Sequence, residues 1–140
     1  MATTRTNREL VQQAFDSLND QDRTAFENLH TDTAVLHDGT REIRGIDAIA
    51  DHEFGFFEVF PDLTVTPEQL VADGDLVAVR WSITGTQHGA FRGVEPTGTE
   101  VEFSAMAMFR IEDDRIAEVW LVSDQLGFME QLGIVEVPGR

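Results

Sequence analysis

In the first part of the chain, apolar residues recur at the three- and four-residue spacing of an amphipathic helix. The first such face comprises Leu10, Val11, Ala14, Phe15 and Leu18. Thr6 and Glu9 have the spacing of a capping box, so a helix is predicted to begin at about Thr6. Asp22 is a good N-cap for a short second helix, and a third helix is predicted over 45–60, where the following proline ends it.

After the third helix, the pattern changes to an alternation of apolar and polar residues. This alternation predicts four long strands, at 63–72, 76–86, 101–111 and 116–122. A small hairpin is predicted before the third helix, with strands at 34–37 and 42–44 and a turn at Asp38 and Gly39. A last helical segment is predicted at 125–132. The pattern therefore predicts an α+β fold, in which helices cover one face of a strongly bent sheet. It leaves open whether an internal pocket or a solid core lies between them.

Length and composition indicate one domain. With 140 residues, of which 41% are hydrophobic, the chain can form a single core, and we expect one domain over 1–140 with tails at 1–6 and 134–140. The chain has no cysteine, which excludes disulfides and cysteine-ligated zinc. It has no run of 18 apolar residues and a polar N-terminus, so we expect no membrane span and a cytoplasmic location.

The charge is strongly unbalanced. Twenty-six acidic residues oppose ten basic ones, all of them arginine, and the net charge is −16. Such a surface repels nucleic acid and anionic membranes, so neither is expected as a partner. An acidic chain without lysine is typical of a protein from a halophilic source, because high salt screens the repulsion between its carboxylates.

Candidate chemistry is sparse. No two of the four histidines have the spacing of a zinc-binding helix, so no metal site is predicted. Asp124 follows the last strand on the same face as Trp120, where an apolar surrounding would raise the pKa of its carboxyl. From spacing alone, a helix-capping role for Asp124 is favoured over a catalytic one.

Two histidines are further candidates for the site. His37, at the end of a strand, and His52, on the phenylalanine-rich third helix, are candidates to polarise a carbonyl group. For each, a surface or core-edge position is the favoured alternative. The predicted pocket wall consists of Phe56, Phe57, Trp120, Met106 and Met108. Since Met106 and Met108 alternate with apolar residues, one side of that strand must face away from the helices, which predicts a homodimer.

Three motifs in order resemble the SnoaL-like polyketide cyclases. They are Phe-Pro-Asp-Leu at 60–63, Arg-Trp-Ser-Ile-Thr-Gly-Thr at 80–86 with the glycine-rich stretch that follows, and Arg-Ile-Ala-Glu-Val-Trp at 115–120 running into Asp-Gln-Leu-Gly at 124–127. The resemblance covers about residues 7–133. That family belongs to the superfamily of nuclear transport factor two.

The resemblance implies three N-terminal helices packed on a mainly antiparallel mixed sheet that forms a cone with an internal pocket, and a homodimer. It also implies a ring closure by an intramolecular aldol reaction without a cofactor, with an aspartate at the end of the last strand as acid and base. That aspartate falls on Asp124, which reverses the preference for a cap. The resulting hypothesis is a cofactor-free enzyme, either a cyclase or isomerase or a related lyase or hydrolase, that uses Asp124 as general acid and base on a small apolar carbonyl substrate. The alternative is a non-catalytic module of the same fold that binds a small ligand or a partner chain.

Overall fold

The computed structural model describes residues 5–139 and confirms the predicted α+β class. Its helices are α1 (Asn7–Asn19), α2 (Arg23–Asn28), α3 (Ile46–Val59) and α4 (Gln125–Gln131). Its strands are β1 (His30–Asp38), β2 (Arg41–Arg44), β3 (Thr64–Asp73), β4 (Leu76–Thr86), β5 (Glu100–Glu112) and β6 (Arg115–Ser123). Every element lies within a few residues of its predicted position, except that β1 begins at His30, four residues before the predicted start.

The helix starts follow from local side-chain chemistry. The Thr6 hydroxyl accepts a hydrogen bond from the Glu9 backbone N–H at 3.1 Å and donates to the Glu9 carboxylate at 3.1 Å. Asp22 accepts from the Ala25 N–H at 3.1 Å and caps α2 in the same way. These side chains satisfy backbone donors that the first turn of a helix leaves free.

The six strands form one mixed sheet in the order β2-β1-β6-β5-β4-β3. The strands β3 to β6 form the predicted antiparallel meander, and β1 joins it through a parallel pairing with β6. The pairing register shifts between His30 and Val35, between Pro67 and Gln69, and between Arg110 and Ile111. Such irregularities bend and twist a strand, which produces the curvature of the sheet.

Helices α1, α2 and α3 cover the concave face of the sheet. The edge of the Phe15 ring packs on Trp81, with ring centroids 5.0 Å apart, and on Phe109 at 6.1 Å. A second, smaller cluster forms where α4 meets β5, around Phe60, Val101, Phe128 and Leu132. A cavity remains between these two packed regions.

The long loop between β4 and β5 is attached to the end of α3. The backbone N–H groups of His88 and Gly89 donate to the Val59 carbonyl at 2.8 and 3.2 Å. A Cβ atom at Gly89 would lie 2.6 Å from the Glu58 carbonyl oxygen, so this close approach requires glycine. The docked loop places Phe91 beside the cavity.

The predicted tails are only partly described. Residues 1–4 and 140 lie outside the described residues. Arg5 forms an ion pair with Asp114 at 2.8 Å, and Ile134 packs against the second apolar cluster. Residues of both predicted tails therefore contact the rest of the fold.

Candidate functional site

A cavity of about 420 Å³ lies between the concave face of the sheet and the helices, which confirms the predicted pocket. This is the volume of a typical small-molecule site. Most of its wall is apolar, including Phe15, Phe26, Phe56, Trp81, Phe103 and Phe109. Gly39, Thr40, Arg41, Arg92 and Gln125 also line it and are exposed, so they mark its opening.

Asp38 and His52 meet at the cavity wall. His52 Nε2 lies 3.4 Å from Asp38 Oδ2, and the two side chains are only 18% and 16% exposed. Asp38 is the last residue of β1, whereas His52 lies on α3, whose start is tied to β1 by a 2.8 Å hydrogen bond from Gly45 N–H to the Ala34 carbonyl. The sheet and the helix therefore bring together an imidazole and a carboxylate that are 14 positions apart in the chain.

Glu53 adds a second carboxyl group to the same wall. Burial raises the pKa of Glu53 from 4.5 to about 6; the nearby charge of Asp38 adds to this rise, and that of His52 opposes it. A group with a pKa near 6 exchanges protons close to neutral pH, which suits it to acid–base chemistry. Neither Asp38 nor Glu53 is recognisable from the sequence as a catalytic candidate, because neither belongs to a motif and only the fold brings them to His52.

His30 is a further titratable group of the cavity wall. It is 4% exposed, and its Nδ1 lies 2.7 Å from the Phe26 carbonyl oxygen. Burial lowers the pKa of His30 from 6.5 to about 4, although the bond to Phe26 acts in the opposite direction. The imidazole is therefore neutral at pH 7. Nothing in the sequence around His30 distinguishes it from an ordinary core histidine.

Three of the predicted wall residues lie on the other side of the sheet. Met106, Met108 and Trp120 are 59%, 41% and 40% exposed and do not line the cavity, so their predicted pocket position is wrong. Their neighbours on the same strands, including Ala105, Ala107 and Val119, face inward instead. The alternation correctly predicted which residues share a face, but the opposite face is the inner one.

Of the remaining candidates Phe56, Phe57 and His37, one lines the cavity. Phe56 lines the cavity as predicted, whereas Phe57 packs against Phe54 with ring centroids 5.6 Å apart and does not line it. His37 lies on the outer face, stacked on Trp120 at 5.7 Å, with its Nε2 2.7 Å from Glu118. Of the predicted site residues, the cavity wall contains His52 and Phe56.

Asp124 is the N-cap of α4. Its Oδ1 accepts a hydrogen bond from the Gly127 N–H at 2.9 Å, and its side chain is exposed outside the cavity wall. The apolar surrounding predicted for this carboxyl is therefore not seen. The cap uses the carboxylate because α4 begins directly after the end of β6.

The family model of the SnoaL-like polyketide cyclases matches residues 9–132. The chain belongs to this family. No protein of curated function matches it. The inferred family membership and the cone-shaped α+β fold are thus both confirmed.

Solved structures show the same SnoaL-like fold. IdmH of Streptomyces antibioticus, a candidate polyketide cyclase, is 29% identical with a TM-score of 0.83, covering 92% of this chain and 99% of that one. A candidate SnoaL-like polyketide cyclase of Jannaschia sp. CCS1 is 26% identical with a TM-score of 0.84, covering 96% and 100%. AclR of Streptomyces galilaeus, a candidate hydroxylase, is 25% identical with a TM-score of 0.85, covering 95% and 89%. One fold thus carries different proposed reactions in its relatives.

Two further features of this SnoaL-like chain concern metals and membranes. Among residues 5–139, no group of three or more histidine, aspartate or glutamate side chains is arranged to hold a metal ion. No helix of the same region is long and apolar enough to cross a membrane.

Proposed function

We propose that this SnoaL-like protein is a cofactor-free acid–base enzyme of the cyclase or isomerase type, acting on a small apolar carbonyl compound in its cavity. The observation that carries the proposal is the contact between Asp38 and His52 at the wall of an otherwise apolar cavity. Apart from these two groups, Glu53 and His30, the buried wall offers few polar groups to a substrate. The acid and base of the proposed reaction are therefore Asp38 and His52.

The proposed reaction begins with the transfer of a proton from carbon to a carboxylate. Asp38 removes a proton from the carbon next to a carbonyl group, and the electrons of the broken C–H bond form an enolate. In a cyclase, the enolate carbon forms a bond to a second carbonyl carbon of the same molecule as the C=O π bond of that group breaks, and the resulting alkoxide takes a proton from His52. Transfer of the abstracted proton from Asp38 to His52, which lie 3.4 Å apart, then restores both groups. In an isomerase, the proton returns to another carbon instead. Neither path needs a cofactor, since no atom or electron is gained or lost overall.

The surroundings favour this chemistry in three ways. The apolar wall excludes water, which strengthens the electrostatic interactions of the few charged groups inside. The 3.4 Å separation of His52 Nε2 and Asp38 Oδ2 is long for a hydrogen bond, as is common for catalytic pairs before a substrate binds. Glu53, with a pKa of about 6, changes the charge beside the pair over the range where the reaction would run.

Two aspartates are candidates for the catalytic acid–base role. The family resemblance assigns it to Asp124, and the cavity geometry favours Asp38. Substitution by asparagine separates them, because asparagine retains the shape and the capping ability of aspartate but cannot exchange a proton in this way. The test measures exchange of the α-proton for deuterium in small β-keto esters and enolisable ketones by NMR, which requires no knowledge of the natural substrate.

We expect Asp38→Asn to lower the exchange rate about 10²-fold or more, the usual contribution of a general base. His52→Gln should have a similar effect, and Asp124→Asn should retain the wild-type rate and melting temperature. Loss of activity in Asp124→Asn with full activity in Asp38→Asn would return the role to Asp124. A wild-type protein that binds these compounds but exchanges no proton would support the non-catalytic ligand-binding module.

We also propose that the protein is a homodimer that associates through the outer face of the sheet. Met106, Met108, Trp120 and Val122 expose between 40% and 71% of their surface on two adjacent strands. An exposed apolar patch on the centre of a sheet usually marks an interface, and a twofold axis lets two copies cover each other's patch. On the same face, the contacts of Glu118 with His37 and Arg110 provide polar groups beside the patch.

A further inference from the structure

His30 holds one tautomer. Its Nδ1 lies 2.7 Å from the Phe26 carbonyl oxygen, and a carbonyl oxygen can only accept a hydrogen bond. Nδ1 therefore carries the proton of the neutral ring, and Nε2 carries a lone pair. The ring packs against Phe26 with centroids 4.4 Å apart, which adds to the orientation set by the hydrogen bond.

The lone pair at Nε2 has no partner within residues 5–139. The bond to Phe26 is the hydrogen bond that His30 makes there, and it uses the other ring nitrogen. His30 is 4% exposed but lines the cavity, so its free nitrogen is accessible from the cavity and hardly from bulk solvent. An acceptor that has little access to bulk water gains from a ligand that supplies the missing donor.

The other buried polar side chains of this region do not offer the same opportunity. The Ser17 hydroxyl donates to the Ala14 carbonyl at 2.7 Å. Gln87 has an unpartnered Oε1, but Gln87 does not line the cavity. Of the three buried polar residues within 5–139, His30 alone therefore presents a free acceptor to a molecule bound in the cavity.

We propose that His30 Nε2 accepts a hydrogen bond from a hydroxyl or N–H group of the ligand, and that His30 thereby selects apolar molecules that carry such a donor. His30 and Asp38 lie at the two ends of β1, so the donor group is recognised at a different place from the proposed proton transfer. The inference rests on the proposed function only in that both use the same cavity.

The test compares 2-naphthol with 2-methoxynaphthalene, two aromatic probes that differ in the presence of the donor. Binding is measured by the fluorescence of Trp81, which lines the cavity, in a Trp120→Phe background. We expect 2-naphthol to bind about three- to tenfold more tightly, the range of one hydrogen bond to a neutral acceptor. In nitrogen-15 NMR of labelled histidines, the Nε2 resonance of His30 should shift with 2-naphthol and much less with the ether. Equal affinities together with an unmoved resonance would overturn the inference.

Variants separate this role from catalysis. His30→Leu should bind both probes with equal affinity, whereas Ser17→Ala, a buried polar control away from the cavity wall, should keep the preference for 2-naphthol. Asp38→Asn should also keep it, because that variant tests proton transfer and not recognition of the donor. A retained preference in folded His30→Leu contradicts the proposal, and if His30→Leu does not fold, the wild-type NMR measurement decides.

Discussion

The inner and outer faces of the same sheet are built from adjacent residues and have opposite properties. On β5, Ala105, Ala107 and Phe109 are at most 7% exposed and face the helices, whereas Met106 and Met108 between them are 59% and 41% exposed. Both sets are apolar, so hydrophobicity does not distinguish the two faces. At positions 105–108 side-chain size does, because alanine on the concave side leaves room for the rings of α1 and for a cavity, whereas methionine on the convex side has no such restriction.

The pKa of a glutamate next to a histidine also shifts in opposite directions on the two sides of the sheet. On the inner side, burial raises the pKa of Glu53 to about 6. On the outer side, hydrogen bonds from His37 and then from Arg110 lower the pKa of Glu118. For these two carboxyl groups, desolvation has the larger effect on the pKa in the cavity, and hydrogen bonding has the larger effect on the outer face.

The two faces should differ most in how much stability the fold loses when a charged residue is introduced. Ala107→Glu puts a carboxylate among buried side chains without a partner, and we expect a loss of about 4 kcal/mol or more in the free energy of unfolding. Met108→Glu, at the adjacent position, should leave the fold intact. Thermal unfolding followed by circular dichroism measures both.

The same Met108→Glu variant tests the proposed dimer. Two glutamates brought together in a symmetric apolar interface should prevent association, so the variant should be a monomer near 15.7 kDa by light scattering, and the wild type a species of twice that mass. A monomeric wild type would contradict the homodimer, and a folded Ala107→Glu variant would contradict the assignment of the inner face.

A smaller effect, of opposite sign on the two faces, is expected from neutralising each glutamate. The pKa of Glu53 in the folded protein, about 6, lies above its ordinary value of 4.5, so its ionisation costs stability as the pH rises from 4.5 to 6. Glu53→Gln should therefore be more stable than the wild type at pH 8 by about 1–2 kcal/mol, and no more stable at pH 4.

Glu118→Gln is the matched control. Since the pKa of Glu118 is lowered in the folded protein, its carboxylate stabilises the fold above its ordinary pKa of 4.5, and this contribution is lost as the pH falls through the folded value. The variant should be less stable than the wild type at pH 8 and equal to it in strong acid. Urea titrations at several pH values measure both variants, and shifts of the same sign would contradict the comparison.

The smallest expected effect, counted per charged residue, is the change in melting temperature with salt concentration. With a net charge of −16, the melting temperature should rise by several degrees between low salt and molar KCl, as expected of a halophilic protein. If two copies associate through the outer face, salt also reduces the repulsion between them, so Met108→Glu should gain less than the wild type. Differential scanning calorimetry tests this, and a melting temperature that does not depend on salt would contradict the expected halophilic character.

The sequence by itself determined the elements and the faces of this protein. The side chain of Thr6 caps α1 and that of Asp22 caps α2, as their spacing predicts, because a cap is an interaction between residues three positions apart. The alternation along β4, β5 and β6 correctly groups the residues of each face, since successive side chains of a strand point to opposite sides. The family resemblance depends on such local segments too.

Only the tertiary structure decided which face is inside and where the chemistry lies. The parallel pairing of β1 with β6 and the packing of α3 against β1 bring Asp38 to His52, and the cavity leaves His30 with a free nitrogen. The same packing leaves Trp120 outside and Asp124 as a cap. The physical reason is that a sequence pattern reflects contacts only between residues that lie close together in the chain, within one or two helical turns or a few strand positions. Burial, and with it the pKa of a buried group, depends on contacts between residues far apart in the sequence.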